Sequence, residues 1–221
     1  MAKKKLIHFR ENLTFPHLFQ PTYYEIEEDF RMSSCWGKDF FSNTNPIILE
    51  LGCGKGEYTI GLAEKYPEKN FIGIDFKGAR LWRGAKTVQE KEMKNVAFIR
   101  TRVDHLNKFF GPGEISEIWI TFPDPQPGKE RKRLTAPLFL DRYRILLCPE
   151  GIIHLKTDDL DFYNYTLGII GQYHHLLLYS TDDLYHSDCL DDVISIRTFY
   201  EKLWLETGKK ICYIKFKLNC T

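Results

Sequence analysis

The fold turns on Ile47-Ile48-Leu49-Glu50-Leu51-Gly52-Cys53-Gly54-Lys55-Gly56. A short apolar run that breaks off into glycines reads as a strand buried on both faces, followed by a tight turn. Gly56 to Tyr66 then reads as a helix that stops before Pro67. Farther along, the pattern predicts strands at 70–75, 96–101, 115–122, 151–157, 176–180 and 211–218. Helices fill the intervals: Lys77 to Met93, with Leu81, Trp82, Ala85 and Val88 as its apolar positions, Leu138 to Leu147 with Gly151 as its stop, and Asp161 to Tyr173. Strands alternating with helices predict an α/β fold, a mostly parallel doubly wound sheet of about seven strands. Residues 1–45 lack this rhythm and, with Pro16 and Pro21, read as an irregular N-terminal arm ahead of a domain at 46–221.

A chain of 221 residues suits one such domain, and 43% hydrophobic residues supply a core, which excludes wholesale disorder. Thirty-one Lys+Arg against 30 Asp+Glu give a net charge of +1, which excludes a histone-like polycation. The total says nothing about local patches, and binding follows the patch. Met1 to Lys5 resembles the basic start of a signal peptide, but Arg10, Glu11 and Asn12 interrupt any apolar region. The longest apolar stretches are too short to cross a bilayer. The six cysteines are scattered with no C-x-x-C pair, and the seven histidines show no H-x-x-x-H, so neither a disulfide framework nor a zinc site is predicted. The expectation is a cytoplasmic protein with no metal and no membrane segment.

In a parallel sheet, ligands bind beyond the carboxyl ends of the strands. There, Gly52, Gly54 and Gly56 let the chain turn tightly and approach a ligand. Asp75 ends the second predicted strand, 21 residues past Gly54, where a carboxylate accepts from ribose hydroxyls. The spacing is G-x-G-x-G, with Glu50 two residues ahead. Glu50 would repel a pyrophosphate but is compatible with S-adenosylmethionine, which carries a cationic sulfonium and no phosphate. A tight turn without a ligand is the alternative, and Cys53 reads as a small filler. Asp104, after the third predicted strand, is placed either to accept from an adenine amine or to stand as a solvated charge.

The fourth predicted strand exits through Phe122-Pro123-Asp124-Pro125-Gln126-Pro127. Prolines on both sides stiffen the exit and fix the direction of Asp124, a carboxylate suited to hold an acceptor base. The basic run Lys129-Glu130-Arg131-Lys132-Arg133 follows at once, which favours phosphate contact over a plain solvated face. Asp158 and Asp159 read either as functional carboxylates or as a helix cap. Thr198 likewise reads as an N-cap, with Tyr200 and Trp204 packing inward at i, i+4.

These motifs resemble the bacterial tRNA (guanine-N7)-methyltransferases. The carriers are Glu50 to Gly56, Phe122-Pro123-Asp124-Pro125, Lys132-Arg133-Leu134, His154-Leu155-Lys156-Thr157-Asp158, and Thr198-Phe199-Tyr200-Glu201 with Gly208. The first is generic to class I methyltransferases, whereas the other four in this order are specific. The resemblance implies a Rossmann-like fold that uses S-adenosylmethionine to methylate N7 of the variable-loop guanine (position 46) of tRNA. It implies cofactor contacts at Glu50, Gly52, Gly54, Asp75 and Asp124, with Asp124 also the catalytic residue. The family's acidic position after the third strand falls on Arg102, so either Asp104 substitutes or only backbone contacts remain. Lys129, Asp158, Thr198, Tyr200 and Glu201 are the implied substrate contacts. Gly128 stands where relatives carry a lysine, and Gln126 where they carry an aromatic residue. No obligate protein partner is expected, and the enzyme would act as a monomer or homodimer.

Neutral guanine N7 carries a lone pair and no hydrogen, so attack needs no prior deprotonation. Orientation then dominates the catalysis. A class I methyltransferase for another acceptor shares Glu50 to Gly56, and a non-catalytic RNA-binding module could share the fold. Intact Asp75 and Asp124 disfavour the latter. A nicotinamide dehydrogenase is disfavoured by the glycine spacing and Glu50. The near-zero charge is a sum of segregated stretches. Residues 77–102 carry eight Lys/Arg against Glu90 and Glu92, whereas residues 156–192 carry eight Asp against Lys156. The basic stretch predicts salt-dependent affinity for tRNA.

Overall fold

The computed structural model describes residues 2–27, 30–189, 191, 194 and 196–219. Asp192 of the acidic stretch and Cys220 lie outside the described residues. The chain forms two compact units, Met1–Gly111 and Pro112–Thr221. Among the described residues no helix is long and apolar enough to cross a membrane.

The first unit carries α1 (Ala2–Asn12), β1 (Leu18–Phe19), α2 (Tyr23–Glu27), a π-helical turn (Trp36–Phe41), β2 (Ile47–Leu51), α3 (Glu57–Lys65), β3 (Asn70–Asp75), α4 (Gly78–Glu90), β4 (Val96–Arg100) and α5 (Leu106–Phe109). Its strands pair in parallel in the order β1-β4-β3-β2. β2 and β3 are buried along their whole length, as their apolar composition requires. Gly52 and Cys53 both donate to the Ile74 carbonyl, at 2.8 and 3.0 Å, so the glycine turn is stitched to the end of β3.

Within the segment 1–45, read from sequence as irregular, the described residues include α1, β1, α2 and the π-helical turn. Its helix α1 packs against α4 through polar and aromatic side chains: His8 stacks on Trp82 at 3.7 Å, Glu11 accepts from the Trp82 indole, and Asn12 donates to the Gly78 carbonyl at 2.8 Å. Such a face leaves no apolar 3.6-residue period to read. The two residues of β1 pair with β4, a strand not expected from sequence, and Trp36 anchors the segment among Phe19, Phe30, Phe40, Phe41 and Phe110, with its indole donating to the Phe109 carbonyl at 2.8 Å.

The second unit carries β5 (Ile115–Thr121), α6 (Pro137–Leu146), β6 (Leu147–Thr157), α7 (Leu160–Gln172), β7 (Leu176–Thr181), α8 (Phe199–Glu206) and β8 (Cys212–Lys217). The order is β5-β6-β8-β7, with β5 and β6 parallel and β8 antiparallel to both its neighbours. α6 ends at Leu146, within one residue of the expected end, but Gly151 is not its stop. The chain enters β6 directly and bulges at Glu150 (φ 69°) before the regular ladder begins, and a Cβ at Gly151 would strike the Leu147 side chain.

Candidate active site

In the first unit the predicted cofactor residues gather at the ends of β2, β3 and β4. Gly52, Gly54 and Gly56 all adopt positive φ (75°, 59° and 72°), which explains glycine at each. Their surroundings differ. A Cβ at Gly52 would meet nothing within 4 Å, and one at Gly54 only the Gly52 carbonyl at 4.0 Å. A Cβ at Gly56 would lie 2.6 Å from the Phe98 ring. Gly73 and Gly84 leave room for the same ring, so Phe98 sits in a cradle of three glycines that brings α3 and α4 close to the strands. The first two glycines keep a face open to a ligand, and the third serves packing.

Asp75 is only 6% exposed and holds the turn with both oxygens. Its Oδ2 accepts from Gly54 N at 3.0 Å and its Oδ1 from Lys77 N at 2.7 Å. Each oxygen keeps a second lone pair for a hydroxyl. Glu50, also buried, accepts at Oε2 from the Thr59 backbone at 2.8 Å and from its hydroxyl, so it supplies negative charge to the first turn of α3. Burial, then the negative charges of Glu50 and Asp75, push the Cys53 thiol well above its usual range. Burial at 7% exposure and a thiol held protonated suit the small filler read from sequence. Arg102 and Asp104, which sequence treats as alternatives, are partners: Nε and Nη2 of Arg102 donate to Asp104 Oδ2 at 3.1 and 3.0 Å. This open, glycine-lined turn edged by acceptors fits a cofactor with ribose hydroxyls and a cationic end. Part of the basic stretch is already balanced, by Arg83 with Glu90 and Lys91 with Glu64.

In the second unit Asp124 is exposed and held by its own turn, its Oδ1 accepting from Gln126 N at 3.0 Å. Lys129, Arg131 and Lys132 are exposed around an open concavity, as phosphate contacts need to be. Arg133 corrects the sequence reading of that run. It is 2% exposed, donates to the Pro125 carbonyl at 2.9 Å and pairs with Asp161, so it braces the Asp124 turn from inside. Asp158 pairs with Lys209 at 2.8 Å, whereas Asp159 is the cap of α7, accepting from Phe162 N at 2.7 Å.

Thr198 and Glu201 form a reciprocal capping box at the start of α8. Glu201 has no exposed surface: it meets Lys156 at 2.8 Å and the Tyr185 hydroxyl at 2.8 Å. Its carboxylate therefore organises the segment from within rather than standing on the surface. Tyr200 does stand there, 51% exposed, with its ring stacked 6.0 Å from Trp204, which in turn lies 4.9 Å from Phe122. Sequence reading has Tyr200 and Trp204 packing inward, whereas Tyr200 is exposed; it gives Lys156 no role of its own, and it misses Tyr185 and the Phe98 cradle. Their importance comes from tertiary contacts, and only the placement of Lys156 inside a motif hinted at it.

Parallel strands, a glycine turn backed by an acidic residue and a carboxylate at the next strand end are the marks of a class I methyltransferase fold. The solved 16S rRNA methyltransferase KamB shares that fold, with a TM-score of 0.65 over 83% of this chain and 92% of that one at 11% identity. A family model described as "Putative methyltransferase" matches residues 44–214. The chain is 50% identical over 222 residues to the tRNA (guanine-N(7)-)-methyltransferase of Christiangramia forsetii, covering 99% of each. It is 49% identical over 219 residues to that of Bacteroides thetaiotaomicron, covering 99% of this chain and 87% of the relative. The protein belongs to the tRNA (guanine-N(7)-)-methyltransferase family.

Proposed function

We propose that the protein methylates N7 of the variable-loop guanine, position 46, of tRNA, with S-adenosylmethionine as donor. It works in the cytoplasm, without an obligate protein partner, as a monomer or homodimer. Residues 46–221 form the methyltransferase domain and 1–45 its arm. The observation that carries the reading is the exposed Asp124 carboxylate, held in a proline-stiffened turn by Gln126 N and Arg133. When bound, S-adenosylmethionine supplies an electrophilic methyl on a sulfonium. Asp75 takes its ribose hydroxyls, Gly52 and Gly54 give it a close backbone approach, and Glu50 offers negative charge nearby. Asp104, gripped by Arg102, accepts from the adenine amine.

Asp124 accepts from the N–H groups on the Watson–Crick edge of guanine and turns N7 toward the donor. As attack proceeds the purine becomes cationic, so a fixed carboxylate on that edge is worth more in the transition state than before it. No residue has to remove a proton first. Thr198, Tyr200 and Asp158 shape the base-facing surface, Glu201 holds that surface in place, and Lys129 meets phosphate.

The test is incubation with methyl-labelled S-adenosylmethionine and bulk tRNA, followed by chemical cleavage at N7-methylguanine. Cleavage at guanine 46 is expected, with activity that weakens as salt rises. Label at another atom, or none, overturns the assignment.

A further inference from the structure

Lys156 lies near the C-terminal end of β6, fully buried, and nothing in the attack of N7 on a methyl group calls for its amine. Its ammonium donates to the carbonyls of Ile194 at 2.7 Å and Ile196 at 3.3 Å, and meets Glu201 Oε1 at 2.8 Å. Glu201 in turn accepts from the Tyr185 hydroxyl at 2.8 Å and, through Oε2, from the Thr198 backbone at 3.2 Å. The other end of the same residue is occupied too. The Lys156 carbonyl accepts from Phe122 N at 2.8 Å, and its ammonium lies 5.8 Å from the centre of the Phe122 ring. Phe122 directly precedes Pro123-Asp124 and holds φ at 49°, a conformation that a bulky side chain keeps only when its surroundings enforce it.

One residue therefore touches two segments that face substrate. Its main chain holds the start of the Asp124 turn, and its side chain holds the entry to α8 with Thr198 and Tyr200. Apolar side chains of similar volume often fill such a space as stably as a buried ion pair does. What an ammonium adds is direction, because three acceptors must converge on one nitrogen. We propose that Lys156 is a positioning residue for methyl transfer, which sets the placement of the α8 start against the Asp124 turn through its buried pair with Glu201. This rests on the reading of Asp124, Thr198 and Tyr200 as guanine-facing.

The double variant Lys156→Met with Glu201→Gln removes both charges together, so no uncompensated ion is left buried. Glutamine preserves the capping box. Expected is unchanged affinity for S-adenosylmethionine, with kcat on tRNA lowered between about tenfold and about a hundredfold, the upper figure being what misplacement by about 1 Å can cost. A merely structural pair would lower the melting temperature and leave kcat of the folded enzyme alone. Wild-type kcat in the folded double variant overturns the proposal, and so does a matching loss of cofactor affinity. If the double variant does not fold, Tyr185→Phe decides, since it deletes one hydrogen bond to Glu201 and keeps both charges. A fall in kcat of about threefold supports the role, and an unchanged kcat overturns it. Tyr200→Ala separates the two layers. If it is silent in tRNA affinity and kcat, the guanine-facing reading falls and takes Lys156 with it. If it is impaired while the Lys156 variants are silent, only the role of Lys156 falls.

Discussion

Arg133 donates through Nε to the Pro125 carbonyl at 2.9 Å, so the turn that carries Asp124 hangs on a side chain that solvent does not reach. The guanidinium lies over Tyr165 at 4.6 Å and Phe162 at 5.5 Å, and its Nη2 pairs with Asp161. Prolines limit what the turn can do, and Arg133 selects which of the remaining conformations it keeps. Arg133→Met should cost about 1–3 kcal/mol of stability, because the Pro125 carbonyl loses its donor. Asp161 is well exposed and adds little to that loss. Turnover should fall about tenfold while cofactor affinity stays put. Thermal melts alongside single-turnover assays check both parts, and a variant that loses cofactor binding instead contradicts this role.

Much of this molecule was legible in its sequence where burial is two-sided. β2, β3 and β4 are apolar runs closed by glycine or a charge, and nothing competes with reading them as strands. The arm resisted because α1 is attached by His8, Glu11 and Asn12, residues that ordinarily mark a solvated face. The Thr198-Phe199-Tyr200-Glu201 segment illustrates a second kind of limit. The same residue types make a binding motif and a capping box, and only the buried ammonium of Lys156 reveals that Glu201 faces inward. Arg133 shows the same limit: sequence order puts it in a basic run with surface cations, and packing buries it.

The three turn glycines should respond differently to a methyl group. Gly56→Ala meets the Phe98 ring as well as an unfavourable φ, so overpacking of about 1–3 kcal/mol adds to a left-handed cost of about 1–2 kcal/mol. Phe98→Leu in the same chain should recover part of the first contribution. Gly52→Ala carries the conformational cost alone, since its Cβ would enter open space, and should weaken cofactor binding more than it weakens the fold. Urea denaturation beside equilibrium cofactor titration distinguishes them. Equal stability losses for the two would mean that the Phe98 cradle is not tight.

Two strand-end carboxylates should separate binding from chemistry. Asp75→Asn disturbs the acceptor that fixes Gly54 and Lys77 and is expected to raise the dissociation constant for S-adenosylmethionine. Asp124→Asn keeps the shape of the turn but removes the charge that faces the cationic purine. It should lower kcat about a hundredfold with little change in cofactor affinity. Normal turnover in Asp124→Asn would remove this carboxylate from the mechanism.

Stability should also decline on mild acidification, and the sign follows from two histidines. His17 bonds the Ala85 carbonyl through Nε2 at 2.7 Å, holding the arm to α4, and burial lowers its pKa despite that bond. Burial likewise lowers the pKa of His175, against the raising effect of its bond to Asn219. Their unfolded values lie near ~6.5, so as pH drops below that point the unfolded chain takes up protons before the folded one does. The stabilisation from the neutral rings is full above that value and is lost as pH falls toward the depressed folded values, below which it changes no further. Glu25, held below its usual range by hydrogen bonds from Thr22, and Glu150 and Asp183, held there by hydrogen bonds and nearby positive charge, act only in a lower window, as pH falls from their unfolded values through the depressed ones. Urea midpoints measured at several values between pH 7.5 and 5 should therefore fall, and His17→Asn should flatten the decline. An unaltered slope in that variant would mean that the ring of His17 titrates in the folded protein as it does in the unfolded chain.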